Sequence, residues 1–310
     1  MIAPLTVVVP TYRSPNSLSI LVERIIAASW FISGSEIVIV DDGNVDETWT
    51  VIRGLSSQYG HVRGIRLSRN SGQHAAILAG IRVAVNPIIA TLDDDLQNPP
   101  EEVPKLLESL SADFDVIYGV PSHSEQPAWR RVTSDVSKWV IGHLLGYGGA
   151  SQTSSMRVFR TSLRESFDRE LGPGVSIDAL LTWGTSRFGS VQVRHDRRAE
   201  GDSNYNFRKL FRFFLDSVTG YSAVPLRIAT SLGISTVALS LLVLIWVLSR
   251  PLLTGESVPG FPFLAATIAI FSGVQLVVLG VLGQYIGRTH FRVMNKPTYT
   301  IADRTDIARQ

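Results

Sequence analysis

The chain has 310 residues, enough for one large domain or two smaller ones. A formal charge of +2 gives no support to nucleic-acid binding, and the absence of cysteine excludes both a disulfide framework and a thiolate metal site. Hydrophobic residues make up 45% of the chain and the mean hydropathy is +0.17, with the excess concentrated in the last third. The opening stretch "MIAPLTVVVPTY" lacks a basic n-region and a small-residue cleavage site, so no signal peptide is expected and the N-terminal part is expected to stay in the cytoplasm.

Short apolar runs alternate with amphipathic stretches from the start. "LTVVVP" (5–10) reads as a buried strand with "SLSILVERIIAASWF" as the helix behind it. "EIVIVDD" (36–42) is a second strand, followed by the helix "DETWTVIRGLSSQ" with Asp46 as its N-cap. "VRGIRLS" is a third strand, "GQHAAILAGIRVA" a third helix, "PIIATLDDD" a fourth strand and "NPPEEVPKLLESL" the start of another helix. Strands alternating with helices of this length predict βαβ units and a mostly parallel sheet. Ligands of such sheets bind at the carboxyl ends of the strands, and here those ends carry Pro10 to Tyr12, Asp41 and Asp42, Ser68 to Asn70, and Asp93 to Asp95.

The texture changes from residue 205. "YNFRKLFRFFLDSVTGY" places Phe207, Leu210, Phe211, Phe214, Leu215 and Val218 on one face and Arg208, Lys209 and Arg212 largely elsewhere, a pattern shared by a packed globular helix and by a basic helix lying at a membrane surface. Two apolar stretches follow, at about 226–248 and 263–286, each long enough to span a bilayer. Lys and Arg flank the pair at Arg208, Lys209, Arg212 and Arg227 on one side and Arg288, Arg292 and Lys296 on the other, while the connecting loop holds only Arg250 against Glu256. The positive-inside rule places both chain ends in the cytoplasm.

Three carboxylates, Asp93, Asp94 and Asp95, close the apolar run "PIIATL". A single Asp would suffice to cap the following helix. If the strand continues through them, Asp93 and Asp95 leave on one side with Asp94 opposite, and two hard oxygens on one side suit Mg²⁺ or Mn²⁺, with Gln97 able to add an amide oxygen. The chain contains neither G-x-G-x-x-G nor a Walker A lysine motif, so a metal rather than a glycine loop must neutralise any diphosphate. That is the logic of a nucleotide-sugar transferase.

"VVVPTY", "IVIVDDGNVDET", "LSRNSGQHAAILAGI", "TLDDDLQNPPEE" and "RAEGDSNY" occur in the order seen in glycosyltransferase family 2, and nearly the whole chain resembles its polyprenyl-phosphate branch. The resemblance implies an α/β fold of GT-A type over residues 1–204, an interfacial amphipathic helix at 205–225, and a two-helix transmembrane anchor with a cytoplasmic tail at 226–310. It implies transfer of a sugar, UDP-linked, from a nucleotide carrier to a polyprenyl phosphate on the cytoplasmic face of the inner membrane, by a homo-oligomer, a tetramer. Carried over by position, Pro10, Tyr12, Val40 and Asp42 surround the nucleotide, with Asp93 and Asp94 at its diphosphate. Asp93, Asp95 and Gln97 hold Mg²⁺ or Mn²⁺, Asp93, Asp95 and Arg198 are catalytic, and Arg130, Arg131, Arg198 and Ser203 meet the lipid phosphate. Each has a plainer reading: Tyr12 as a packing residue, Asp42 as a turn cap with Gly43, Arg198 paired with Glu200 or Asp202, and His74 simply on a helix face. The chain also departs from the family pattern. Tyr12-Arg13-Ser14 stands where Y-N-E is usual, Pro121 replaces an arginine, Ser151 or Gln152 replaces an aspartate, and Asn204 replaces a lysine. These departures leave a catalytically weak nucleotide-binding scaffold open as a rival; a polysaccharide synthase with a non-lipid acceptor is another, but it should carry Q-x-x-R-W near the membrane and "QPAWRR" is not that pattern.

Overall fold

The computed structural model describes residues 3–121, 153–167, 175–196, 224–254, 260–294 and 296–305. The chain forms two compact units, one made of residues 1–207 with 295–310 and the other of residues 208–294.

The first unit is an α/β domain around one eight-stranded sheet. In chain order its described elements are β1 (Leu5–Thr11), α1 (Pro15–Ala27), β2 (Glu36–Asp41), α2 (Thr48–Gln58), β3 (Val62–Leu67), α3 (Gln73–Val83), β4 (Ile88–Thr91), α4 (Val103–Ser109), β5 (Val116–Pro121), β6 (Arg157–Arg160), α5 (Ile177–Gly184), β7 (Phe188–Val193) and β8 (Ile301–Arg304). The strand order is β7-β5-β6-β4-β1-β2-β3-β8. β1 pairs in parallel with both β2 and β4, and β2 with β3; β6 runs antiparallel between β4 and β5, and β8 antiparallel on the outer edge of β3.

All seven residues of β1 are buried, as expected of a central strand covered on both faces. One face is covered by α1, which turns Leu18, Leu21, Val22 and Ile25 inward at helical spacing and opens on Pro15, where a missing N–H costs nothing. The other face is covered by α3. Gly80 permits that approach: a Cβ there would lie 2.4 Å from Val8 Cγ1 and 3.3 Å from Val40 Cγ2. The N-cap of α2 is Glu47 rather than the expected Asp46, but Asp46 still accepts a hydrogen bond from the Thr48 N–H (3.0 Å) at the first residue of the helix.

Two elements differ from the sequence reading. β4 stops at Thr91, so Asp93, Asp94 and Asp95 lie beyond the strand, in a turn whose next residue, Leu96, is left-handed (φ 61°). Three adjacent carboxylates gain nothing from an extended ladder and are released at its end. The segment after the second apolar helix also returns to the first unit and supplies β8.

The second unit consists of α6 (Val224–Thr254) and α7 (Gly260–Val293). Their most apolar windows, Leu226–Val243 and Ile270–Gly287, are almost wholly exposed, so neither is the core helix of a soluble domain. They are candidate membrane spans. Thr230, Thr236, Ser240 and Thr267 return their hydroxyls to carbonyls four residues back, which satisfies those polar groups within the helix. The amphipathic stretch 205–223 lies outside the described residues.

Gly80→Val should cost about 2 kcal/mol or more through overpacking against β1. Gly54→Ala in α2, where a Cβ meets open space, should be neutral or stabilising by up to about 1 kcal/mol. Thermal unfolding of the two variants beside the wild type checks both.

Candidate active site

Sheet order changes direction at β1, whose parallel neighbours β2 and β4 are reached by helices on opposite faces, and such a switch point opens a crevice at the carboxyl ends of the strands. A cleft of about 340 Å³ lies there, lined by Pro10, Thr11, Tyr12, Ser14, Asp42, Asn70, Gly72, Gln73, Asp93, Asp94 and Asp95. Four of these are carboxylates and none is a cation.

Each wall has a definite origin. β1 delivers Pro10, in register with Val40, and ends at Thr11; Tyr12 beyond it is 44% exposed, with the Arg13 guanidinium 5.2 Å from its ring centre. Arg13 is left-handed (φ 60°), and its N–H donates to Asn44 Oδ1 (3.1 Å). β2 delivers Asp41 and Asp42. Asp41 is wholly buried, accepts from the Asn44 N–H (2.9 Å), and lies 3.5 Å from Arg66 Nε. Asp42 accepts from two backbone N–H groups, Ser71 at 2.7 Å and Gly72 at 2.9 Å, so it builds the wall as well as facing the cleft. Gly43 is left-handed (φ 71°), and a Cβ there would fall 2.3 Å from the Arg69 carbonyl carbon, so this turn admits only glycine.

The acidic turn forms the floor. Gln73, opening α3, donates to Asp93 Oδ1 (2.6 Å), and Asp95 Oδ1 accepts from the Gln97 N–H (3.1 Å). Asp94 lines the same cleft as its two neighbours rather than the opposite side, because the chain is turning where strict alternation was expected. One of its oxygens is buried without a hydrogen-bond partner, while the Thr11 and Ser14 hydroxyls act on the carboxyl and favour its charged form. Burial is the largest influence on Asp42, Asp93 and Asp94 and pushes all three carboxyls above the usual range, Asp94 to about 6. Hydrogen bonds oppose this at each residue, and Arg157 also does so at Asp93.

Arg157 was not anticipated. It is 2% exposed, bonds the Thr91 hydroxyl (3.1 Å) and pairs with Asp178, which also accepts from the Tyr118 hydroxyl (2.9 Å). This pair ties the end of β4 to β6 and α5 directly behind Asp93. His74 lies in the first turn of α3, half-buried, and its Nδ1 accepts from the Ile177 N–H (3.3 Å) at the start of α5. Asn70 lines the cleft at the strand end where the sequence placed it, whereas Gln73 and Gly72 were missed; the "RN-x-GQH" stretch that contains them held the available signal. Val40 is fully buried in the core beneath α3, so its side chain does not line the cleft as the nucleotide assignment would have it.

Gln97 acts here through its backbone and does not line the cleft: its carbonyl accepts from the Asp196 N–H (2.9 Å), and His195 Nδ1 lies 3.2 Å from Asn98 Oδ1. The chain thus reaches the acidic turn two residues before Arg198. Arg130, Arg131, Arg198 and Ser203 themselves lie outside the described residues. Among the described residues no three His, Cys, Asp or Glu side chains form a ready-made metal cage. Asp93 and Asp95 still fit a hard divalent ion that takes its remaining ligands from water and substrate phosphates, the usual habit of Mg²⁺.

Residues 6–170 match the sequence profile of glycosyl transferase family 2. Across 98% of its length the chain is 34% identical to undecaprenyl-phosphate 4-deoxy-4-formamido-L-arabinose transferase of Pectobacterium atrosepticum, covering 94% of that protein. Its identity to the Pseudomonas aeruginosa protein of the same name is 32%, over 96% of this chain and 88% of that one. Among solved structures, glucosyl-3-phosphoglycerate synthase of Mycobacterium tuberculosis, in complex with Mn²⁺, UDP and phosphoglyceric acid, superposes with a TM-score of 0.51 at 18% identity, over 70% of this chain and 77% of that one. That likeness establishes a GT-A-like fold.

The raised Asp94 carboxyl has a consequence for stability. The native state favours its neutral form, so the contribution is full below the ordinary carboxylate pKa of about 3.9 and is lost as pH rises through about 6. Metal-free protein should therefore lose thermal stability across that window, and Asp94→Asn should remove part of the loss. Unfolding curves at a series of pH values in chelator provide the check.

Proposed function

This chain belongs to glycosyltransferase family 2, and from that membership we propose that it transfers a sugar from a UDP carrier to polyprenyl phosphate at the cytoplasmic face of the inner membrane. The observation that carries the reading is the lining of the cleft: a nucleotide-sized space with four carboxylates and, among the described residues, no cation. An anionic diphosphate enters such a space only with a divalent ion, Mg²⁺ or Mn²⁺, which Asp93 and Asp95 would hold. The ion, when bound, supplies charge stabilisation to the departing nucleoside diphosphate.

The chain's own residues do the positioning. Tyr12 offers an aromatic face at the mouth of the cleft, and Asp42, still with free lone pairs, faces the ribose. Gln73 and the Gln97 N–H hold Asp93 and Asp95 in place. The attacking group is a phosphate oxygen of the lipid, already anionic at neutral pH. It needs no strong general base, which accommodates Ser151 and Gln152 in place of the family aspartate. Attack at the anomeric carbon forms a new C–O bond as the bond to the diphosphate breaks, inverting configuration. Arg130, Arg131, Arg198 and Ser203 are assigned to the lipid phosphate, and the stretch 205–225 to the membrane surface. The anchor reading rests on the exposed apolar lengths of α6 and α7. It is supported by β8: a chain that leaves the sheet, crosses a membrane in α6 and rejoins the same sheet must cross back in α7.

Purified protein given labelled UDP-sugars and undecaprenyl phosphate should yield labelled lipid. A labelled water-soluble polymer would favour a polysaccharide synthase, and nucleotide binding without transfer a scaffold. Asp95→Asn should lower turnover by about a thousand-fold while leaving unfolding unchanged; undiminished activity of that variant in chelator contradicts the metal assignment. For topology, single cysteines introduced as Ser257→Cys and Ala308→Cys are free of native background. The first should react with an impermeant thiol reagent in intact cells and the second only after permeabilisation.

A further inference from the structure

Residues 298–305, which follow the second apolar helix, are seated along the outer edge of β3 from Gly64 to its end and on to Ser68. Thr305 donates its N–H to the Gly64 carbonyl (3.0 Å) and accepts from the Gly64 N–H through its hydroxyl (2.6 Å), which also reaches Ser56 Oγ (3.0 Å). Gly64 fits this contact closely: a Cβ there would meet Thr305 Cγ2 at 3.1 Å and Ile52 Cγ2 at 2.4 Å. Arg304, Asp303 and Ile301 pair with Ile65, Arg66 and Leu67. Tyr299 and Ile301 pack against the core beneath α3, and the Tyr299 hydroxyl accepts from Arg82 (3.3 Å), whose guanidinium lies 5.4 Å from the ring centre. Thr298 is buried.

The last bond of this edge is the informative one. The Thr300 carbonyl accepts from the Ser68 N–H at 2.8 Å, and Ser68 begins the run that forms one wall of the cleft. Arg69 and Asn70 cross directly over Gly43, Ser71 and Gly72 donate to Asp42, and Gln73 donates to Asp93. The 68–73 run is therefore held at its far end by Asp42 and α3 and at its near end by the returning tail. We propose that the 298–305 segment is a positioning element of the donor site: it fixes the wall that carries Asn70, Gly72 and Gln73, so that binding of a nucleoside diphosphate depends on a strand lying more than 225 residues further along the chain. The proposal rests on the nucleotide-sugar reading only in its choice of ligand. An edge strand also shields β3 from pairing with other chains, but that duty alone would not require the Thr300–Ser68 bond.

The test uses full-length protein in detergent, with UDP and Mn²⁺ as the probe. Tyr299→Ala with Ile301→Asn displaces the tail, while Tyr299→Phe keeps the ring over Arg82. Hydrogen exchange is followed at 68–73, with β1 as the reference, and UDP affinity is measured calorimetrically in saturating Mn²⁺. The double variant should lose protection at 68–73 but not in β1 and should bind UDP about ten-fold more weakly, since small displacements of binding groups have effects of that size. Tyr299→Phe should remain close to wild type, and a synthetic peptide of residues 296–305 added to the double variant should restore both readouts. Unchanged exchange at 68–73 overturns the proposal; so does loss of protection throughout the sheet, which would make the tail a general support. If the wild type itself fails to bind UDP with Mn²⁺, the nucleotide reading falls, and exchange at 68–73 still decides the role of the tail.

Discussion

Repulsion among the carboxylates at the ends of β2 and β4 is the constraint on which the rest of this site depends. Asp42, Asp93, Asp94 and Asp95 line one cleft, three of them pushed toward their neutral forms by burial, and among the described residues no cation lines it with them. Nothing in folding alone favours such an arrangement, because each carboxylate gives up hydration and faces its neighbours' charge. The fold accepts it by aiming donors at individual oxygens: the Ser71 and Gly72 N–H groups at Asp42, Gln73 at Asp93, and the Gln97 N–H at Asp95. Asp94 keeps an oxygen with no partner. Residual negative charge in a half-closed space is what a divalent ion and its diphosphate would neutralise, and activity would then be obtained at the expense of stability in the empty enzyme.

The donors stay aimed because the surrounding framework is stiff. The buried Arg157 pairs with the half-buried Asp178, and removal of Asp178 would leave the Arg157 charge buried and uncompensated. That pair joins β4, β6 and α5, so the acidic turn is fixed by elements that are remote in sequence. On the opposite flank Gly43 lets the 69–70 backbone close over the end of β2. The cleft therefore has a base fixed by β1, β4 and β6, and a wall fixed by β2, β3 and the returning tail.

Much of this was legible in the sequence where the signal was local. Apolar runs in β1, β2 and β4 and the helical spacing of α1 give the alternation and hence the parallel core, and the polar residues behind each run give the location of the cleft. Alternation failed at Asp93–Asp95, where the strand had already ended; a pattern rule valid for extended backbone places Asp94 on the wrong side once the chain turns. Val40 was assigned to the ligand by position, yet its side chain points into the core under Gly80. Gln73, Arg157 and β8 were missed for a different reason. Each acts through a partner distant in sequence: Gln73 on Asp93, Arg157 on Asp178, and "IADR" on β3. Four residues at the edge of a sheet carry too little periodicity to announce a strand.

The account turns on the claim that this cleft takes a nucleoside diphosphate only together with a divalent cation. Calorimetric titration of the purified protein with UDP, once in Mn²⁺ and once in chelator, measures that directly. The account predicts saturable binding in Mn²⁺ and none detectable in chelator. Equal UDP affinity in the two conditions would contradict it, because the four carboxylates would then have to lie away from the diphosphate.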